Sequence, residues 1–283
     1  MEPISFFYLI IFILGLTVGS FLNCVIYRLE KNESFLKGRS YCPNCKHQLS
    51  WWDLIPLLSF LELRGKCRYC KKPISFQYPL VELATGILFV FVFHVAFPNL
   101  LLSIFYFLIS SFLIIIFVFD LKNYIIPDEI IFPAIAISIF YRVFEVLKFD
   151  HLNLFKNLKA TLRGVYFVSR EIGNFQPLLN PFFSAVLASA FFLVIFLISR
   201  GRWLGFGDVK LAFFMGLFLG FPKILIALFF SFLIGAIIGL GLIVSGKKTL
   251  KSEVPFGPFL VVGTFIAFFW GVGIINWYLN LIL

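Results

Sequence analysis

A chain of 283 residues that is 61% hydrophobic, carries 41 Phe and has a mean hydropathy of +0.99 excludes an ordinary soluble domain. Only 13% of its residues are charged, and its formal net charge of +10 would suit either nucleic acid or an anionic membrane surface. Where the cations fall along the chain decides between the two.

Apolar runs predict membrane spans at roughly 6–27, 80–97, 100–119, 129–147, 181–199, 208–221, 223–245 and 256–281, most of them near the length a bilayer core requires. The expected fold is therefore all-α: a polytopic helical membrane protein with about eight transmembrane helices and a small metal-stapled cytoplasmic loop. The first run is too long for a signal segment and lacks a basic lead-in, so it reads as a retained helix. The sixth is short, a half-span or a tilted helix starting just after Gly207. Three regions follow: a first helix over 1–27, a polar loop over 28–79 and a membrane-embedded remainder over 80–283.

Eight spans with the N-terminus outside place 28–79, 120–128, 200–208 and 246–255 in the cytoplasm. The first of these holds ten of the 24 basic residues, so the positive-inside rule accounts for the charge and no nucleic-acid partner is expected. One segment disagrees, because 148–178 falls outside yet carries Lys148, Lys156, Lys159, Arg163 and Arg170. Dropping a span would bring it inside, but would separate Asp120 from Asp208 across the membrane, so eight spans are kept.

The polar loop carries Cys42-Pro-Asn-Cys45 and Cys67-Arg-Tyr-Cys70. Paired C-x2-C steps separated by some twenty residues have the spacing of a closed tetrahedral zinc site. In a reducing compartment four thiols serve as metal ligands more readily than as disulfides, although a redox dithiol is the alternative. Four thiolates on Zn2+ leave a charge of −2, which Lys46, Lys66, Arg68 and Lys71 would offset. Such a site has no open coordination position and should fold the loop rather than catalyse. The fifth cysteine, Cys24, falls within the first span and is expected only to pack. No internal repeat is evident.

Asp120 ends an apolar run and Asp208 closes Gly205-Phe-Gly-Asp; in this topology both reach the cytoplasmic edge from helices of opposite direction. Singly, Asp120 could be a solvated helix end and Asp208 an N-cap of the next helix. Together they make a pair that shares a proton, one activating water as general base while the other hydrogen-bonds the substrate carbonyl. Asp128, after Pro127 and before an apolar run, reads as an N-cap. Glu82 could pair with Arg28 or a loop lysine, or line a second ligand site, and His94 has no evident chemical role.

The order of motifs carries a resemblance. Gly-Ser-Phe-Leu-Asn-Cys-Val-Ile-Tyr-Arg (19–28), the two C-x2-C steps with Leu-Arg-Gly-Lys before the second (63–66), Tyr-Pro-Leu-Val-Glu-Leu (78–83), Asp-x6-Pro-Asp (120–128), Gly-Phe-Gly-Asp-Val-Lys (205–210) and Pro-Phe-Gly-Pro-Phe (255–259) resemble the bacterial type IV prepilin peptidases over nearly the whole chain. The resemblance implies an inner-membrane aspartic protease of the GxGD kind. It would cut the leaders of type IV prepilins and type II secretion pseudopilins after a glycine, on the cytoplasmic side, with Asp120 and Asp208 as the catalytic pair. It also implies N-methylation of the new terminal residue by S-adenosylmethionine, mapped to the loop with Gly65 and Lys66 as motif residues. One departure is the separation of the aspartates, 208 − 120 = 88 positions, whose extra length is the 148–178 segment. No glycine-rich fingerprint for the methyl donor is visible. A peptidase without methylation is one rival. The other is a transporter with a zinc-stapled loop, which would need polar groups at mid-membrane rather than at one edge.

Overall fold

A computed structural model of the protein describes residues 3–34, 38–153, 179–246 and 254–282. α1 (Pro3–Glu30) is followed by a loop with a 3-10 turn (Trp51–Leu54) and the short α2 (Leu58–Glu62). Then come α3 (Gln77–Ala96), α4 (Leu100–Asn123), α5 (Asp128–Asn153), α6 (Leu179–Ser199), α7 (Phe206–Leu219), α8 (Lys223–Val244) and α9 (Gly257–Ile282). Every predicted span is a helix, and among the described residues β structure is limited to two isolated bridges. The expected all-α membrane fold is the one the chain adopts.

Among the described residues six helices, α1, α3, α4, α6, α8 and α9, are long and apolar enough to cross a membrane. The fourth predicted span is α5, and the sixth is α7, which has only 14 residues. α5 also runs past its predicted end to Asn153, and the rest of the basic segment, 154–178, lies outside the described residues.

The chain forms two compact units, Met1–Phe119 and Asp120–Leu283. In the first, α1 packs along α3 at very short range because Gly15 and Gly19 have no side chains. A Cβ at Gly15 would stand 2.7 Å from Gly86 Cα, and one at Gly19 2.7 Å from Glu82 Cα. Without a hydrophobic drive between helices in lipid, such close backbone packing is what holds a pair together. Tyr8 Oη and His94 Nδ1, 2.9 Å apart, join the same two helices, which gives His94 a packing role.

In the second unit α7 lies innermost, with Leu211, Ala212, Phe214, Met215 and Leu217 fully buried. It packs on α5, α6, α8 and α9. At about 1.5 Å per residue its 14 residues span about 21 Å, less than the ~30 Å hydrocarbon core. Its last carbonyls therefore need partners inside the bundle. Arg142 of α5 supplies them, Nη2 donating to Phe218 O at 2.7 Å and Nε to Leu217 O at 3.3 Å. Asn180 of α6 then takes the Phe221 N–H at 2.6 Å and returns a bond to Phe221 O at 3.1 Å. The shortness of the sixth span is thus a helix ending inside protein, capped by side chains of its neighbours.

Candidate active site and metal centre

Both aspartates belong to the second unit. Asp120 sits in the last turn of α4 and Asp208 in the first turn of α7, only 4% and 8% exposed. They lie within Coulombic reach of each other. Each is also set against the N-terminal end of a helix. Asp120 accepts the backbone N–H of Gly257, the first residue of α9. Asp208 Oδ2 accepts the N–H of Gly205, the N-cap of α7, at 3.2 Å. Helix N-termini present unpaired N–H groups and a positive dipole end, which is how a buried carboxylate can be held there. Asp208 is therefore not itself an N-cap; its carboxylate reaches back to the cap.

Glycines make the closeness possible. A Cβ at Gly257 would lie 2.6 Å from Asp120 Oδ2, and one at Gly207 would lie 3.1 Å from Ile126 Cβ. In Gly-Phe-Gly-Asp the close approach is that of Gly207 to Ile126. Gly257 was visible only as part of Pro-Phe-Gly-Pro-Phe, although Pro258 just inside the helix start is a signal for that terminus.

Asp128 departs from the capping role expected of it. It opens α5 in the first turn, and its Oδ1 meets Lys210 Nζ at 2.6 Å. Lys210 lies two residues beyond Asp208 and also over the rings of Phe132 and Phe206. Lys210 was not singled out by sequence reasoning, because nothing near it in the chain is acidic on its own helix face. Among the described residues Glu82 makes no ion pair: its Oε2 accepts the Leu57 N–H at 2.9 Å, with the Ser20 hydroxyl as a second donor. The Arg28 guanidinium donates instead to the carbonyls of Ser34, Gly38 and Arg39.

The cysteine cluster lies in the first unit. One sulfur each from Cys42, Cys45, Cys67 and Cys70 lie within 4.8 Å of one another, Cys42 and Cys70 being 3.9 Å apart. Tetrahedral ligands at about 2.3 Å from an ion stand about 3.8 Å apart, so this cluster could hold one metal ion.

The two knuckles share one backbone design. Cys42 N donates to His47 O, Lys46 N to Cys42 O and Leu49 N to Ser40 O; the same bonds recur as Cys67 to Lys72, Lys71 to Cys67 and Ile74 to Gly65. Lys46 and Lys71 both take positive φ, at 58° and 60°. The isolated bridges Tyr41–Gln48 and Lys66–Pro73 repeat as well. Every member is displaced by 67 − 42 = 25 positions, a structural repeat where none was evident in sequence. The shared signal was Cys-x-x-Cys-Lys, too short to stand out.

A second layer ties the knuckles together. The ring of His47 lies against that of Tyr69, centroids 3.7 Å apart and planes tilted by 35°. Asp53, in the 3-10 turn, accepts Arg68 Nε and Ser50 Oγ at 2.8 Å each and Tyr69 Oη at 3.2 Å. Burial pushes the Asp53 carboxyl up, but the Arg68, Ser50 and Tyr69 bonds outweigh it and hold the group below its usual range. At Cys42 burial opposes ionisation, yet the backbone N–H groups of Cys45 and Asn44 and the Cys67 thiol bring the thiol down to about 7. Arg68 is thus committed to Asp53 and Glu62, and Lys46 lies over the Tyr41 ring at 4.7 Å. Gly65, with φ +68°, forms the turn into the second knuckle, and Lys66 is exposed beside Cys67.

A bundle of membrane-crossing helices that buries two carboxylates at adjoining helix ends has the build of a membrane aspartic peptidase. Residues 13–96 match the bacterial peptidase A24 N-terminal domain, and residues 107–240 match the type IV leader peptidase family. The chain is 33% identical over 301 residues to a prepilin leader peptidase/N-methyltransferase of Legionella pneumophila, covering 97% of this chain and 95% of that one. To the protein of the same name from Aeromonas hydrophila it is 31% identical over 307 residues, covering 97% and 94%. To that of Bacillus subtilis (strain 168) it is 32% identical over 281 residues, covering 97% and 98%. No solved structure is significantly similar to it. The chain belongs to the type IV leader peptidase family, and it is a multi-pass membrane aspartic peptidase.

Proposed function

We propose that the chain removes the leader of type IV prepilins and type II secretion pseudopilins after a glycine and then N-methylates the new terminal residue. Prepilins and N-methylation come from the name its relatives bear; pseudopilins and the cut after glycine come from the motif resemblance. The observation that carries the reading is the pair Asp120 and Asp208, buried and within Coulombic reach at two helix ends.

In this mechanism one carboxylate takes a proton from water as the water oxygen adds to the scissile carbonyl carbon. The proton shared by the pair hydrogen-bonds the carbonyl oxygen, then passes to the amide nitrogen as the C–N bond breaks. The N–H groups of Gly257 and Gly205 fix the two carboxylates in place. The pair is assigned to the cytoplasmic face of the bacterial inner membrane, because the loops on that side carry most of the cations.

Residues 80–283 form the peptidase part, following the first helix at 1–27, and 28–79 the methyl-transfer region. Zn2+ is assigned to Cys42, Cys45, Cys67 and Cys70 as a structural ion, since an all-thiolate site leaves no position for substrate. S-adenosylmethionine is the methyl donor the resemblance implies. Gly65 is committed to its turn, so the exposed ammonium of Lys66 is the group there that can meet an anionic part of the donor.

Incubating the purified, membrane-reconstituted protein with a prepilin peptide and weighing the products tests the reading. The expected products are a leader ending in glycine and, with S-adenosylmethionine added, a mature fragment heavier by one methyl group. An intact peptide, or a cut elsewhere, overturns it.

A further inference from the structure

The loop between α1 and α3 exposes more apolar surface than a folded polar loop should. Trp51 and Trp52 stack on each other with centroids 3.7 Å apart, yet are 65% and 57% exposed. Leu58 and Leu61, three residues apart on α2 and so on one face, are 64% and 69% exposed, and Phe76 is 73% exposed. Contiguous exposed apolar surface of this kind marks an interaction site.

Its connection to the first unit shows what covers it. Phe76, Leu80, Leu83 and Ile87 follow one another at steps of four, three and four residues, and all four are exposed. They form a single helical stripe, and because α3 is a membrane-crossing helix that stripe is its lipid face. The stripe does not stop at the helix start: Phe76 precedes α3, and its ring meets Phe60 of α2 at 5.5 Å. α2 in turn packs on the 3-10 turn that carries the tryptophans. Lipid-facing surface therefore runs without a break from the span onto the loop.

Charge points the same way. Residues 31–76 hold nine Lys and Arg against three Asp and Glu, an excess of six positive charges. Two of the three acids, Asp53 and Glu62, are engaged by Arg68, and Arg64, Lys71 and Lys72 stand exposed. Tryptophans beside exposed cations suit the headgroup layer of an anionic leaflet, and each such cation adds to the attraction near that surface.

We infer that Trp51, Trp52, Leu58, Leu61 and Phe76 form a pad seated in the interfacial layer of the leaflet that the loop borders, held there by anionic phospholipid. The pad keeps the cysteine cluster, whose second knuckle is bound to the tryptophan turn through Asp53 and Arg68, at headgroup depth.

The test uses the full chain with Trp203, Trp270 and Trp277 replaced by Phe, which leaves Trp51 and Trp52 as reporters. It is reconstituted in phosphatidylcholine vesicles with and without phosphatidylglycerol. Lipids brominated on the upper acyl chain should quench the emission by at least half. Aqueous iodide should quench at least fivefold less than it quenches free tryptophan, with stronger lipid quenching when phosphatidylglycerol is present. Free quenching by iodide with no effect of brominated lipid overturns the inference, because the pad then faces water. Protection from both also overturns it, because a second copy or another protein surface then covers the pad. Unsubstituted protein gives an independent reading if the variant does not fold. Photo-crosslinking phosphatidylglycerol should label peptides covering 51–61 as well as the α3 stripe, and label confined to the stripe overturns the inference.

Discussion

The backbone N–H of Gly257 donates to the carboxylate of Asp120, and a Cβ at position 257 would lie 2.6 Å from Asp120 Oδ2. The start of α9 is thus moulded to one catalytic candidate, from 137 positions away in sequence (257 − 120). Gly257→Ala should push that carboxylate out of register. Misplacing a reacting group by about 1 Å can cost on the order of 100-fold, and a loss of that size in leader cleavage is expected. Metal content and insertion should not change. Cleavage within about twofold of the unsubstituted rate would show that Asp120 has room the geometry denies it.

Asp120→Asn and Asp208→Asn should each abolish leader cleavage, since each supplies one half of a proton-sharing pair and neither can replace the other. Both variants should still methylate a pre-cut pilin peptide. The check is parallel cleavage and methyl-transfer assays on the same preparations, and near-normal cleavage by either variant refutes the assignment.

The Asp128–Lys210 pair ties the first turn of α5 to α7, two residues beyond Asp208. Asp128 is 54% exposed on its side chain, and exposed pairs of this sort contribute about 0.2–1 kcal/mol. Asp128→Asn should therefore slow cleavage by at most about fivefold, far less than the changes at Asp120 and Asp208. The charge exchange Asp128→Lys with Lys210→Asp should recover part of the loss seen with either reversal alone. Cleavage rates of the two single reversals and the double variant, set out as a cycle, measure the coupling.

Purified, reduced protein kept from chelators should contain about one zinc per chain. Replacing Cys42, Cys45, Cys67 or Cys70 by Ser should release it, and with it protection of 40–74 from protease. Elemental analysis finding no zinc would favour a redox dithiol instead.

Gly65 and Lys66 should separate from each other as well as from proteolysis. Gly65 has φ +68°, and a Cβ there would stand 3.1 Å from Phe60 Cζ, so Gly65→Ala strains the second knuckle by about 1–2 kcal/mol. It should weaken zinc retention and methylation together. Lys66→Ala removes an exposed ammonium and should reduce methylation while zinc and cleavage stay as they were. Loss of cleavage in Lys66→Ala with zinc retained would make the loop part of the protease site.

The sequence by itself determined the helical spans, the metal-ligand spacing and the two aspartates. Each of these is written in local signals: apolar runs of bilayer length, Cys-x-x-Cys steps, and carboxylates at the edge of apolar segments. Tertiary structure alone decided what surrounds them. Asp128 gave up its expected capping role to Lys210 because α5 and α7 start side by side, and Glu82 bonds the Leu57 backbone because the loop folds over it rather than bringing it a cation. The shortness of α7 could be read from the sequence, but that Arg142 and Asn180 cap its buried end depends on how α5 and α6 pack on it. The 25-residue repeat of the knuckles resides in backbone bonds and two positive φ values, which side-chain identity barely records. Gly257 shows the same division: its identity is legible, but its purpose exists only where α9 meets Asp120, because a close approach is a property of two segments and not of either one.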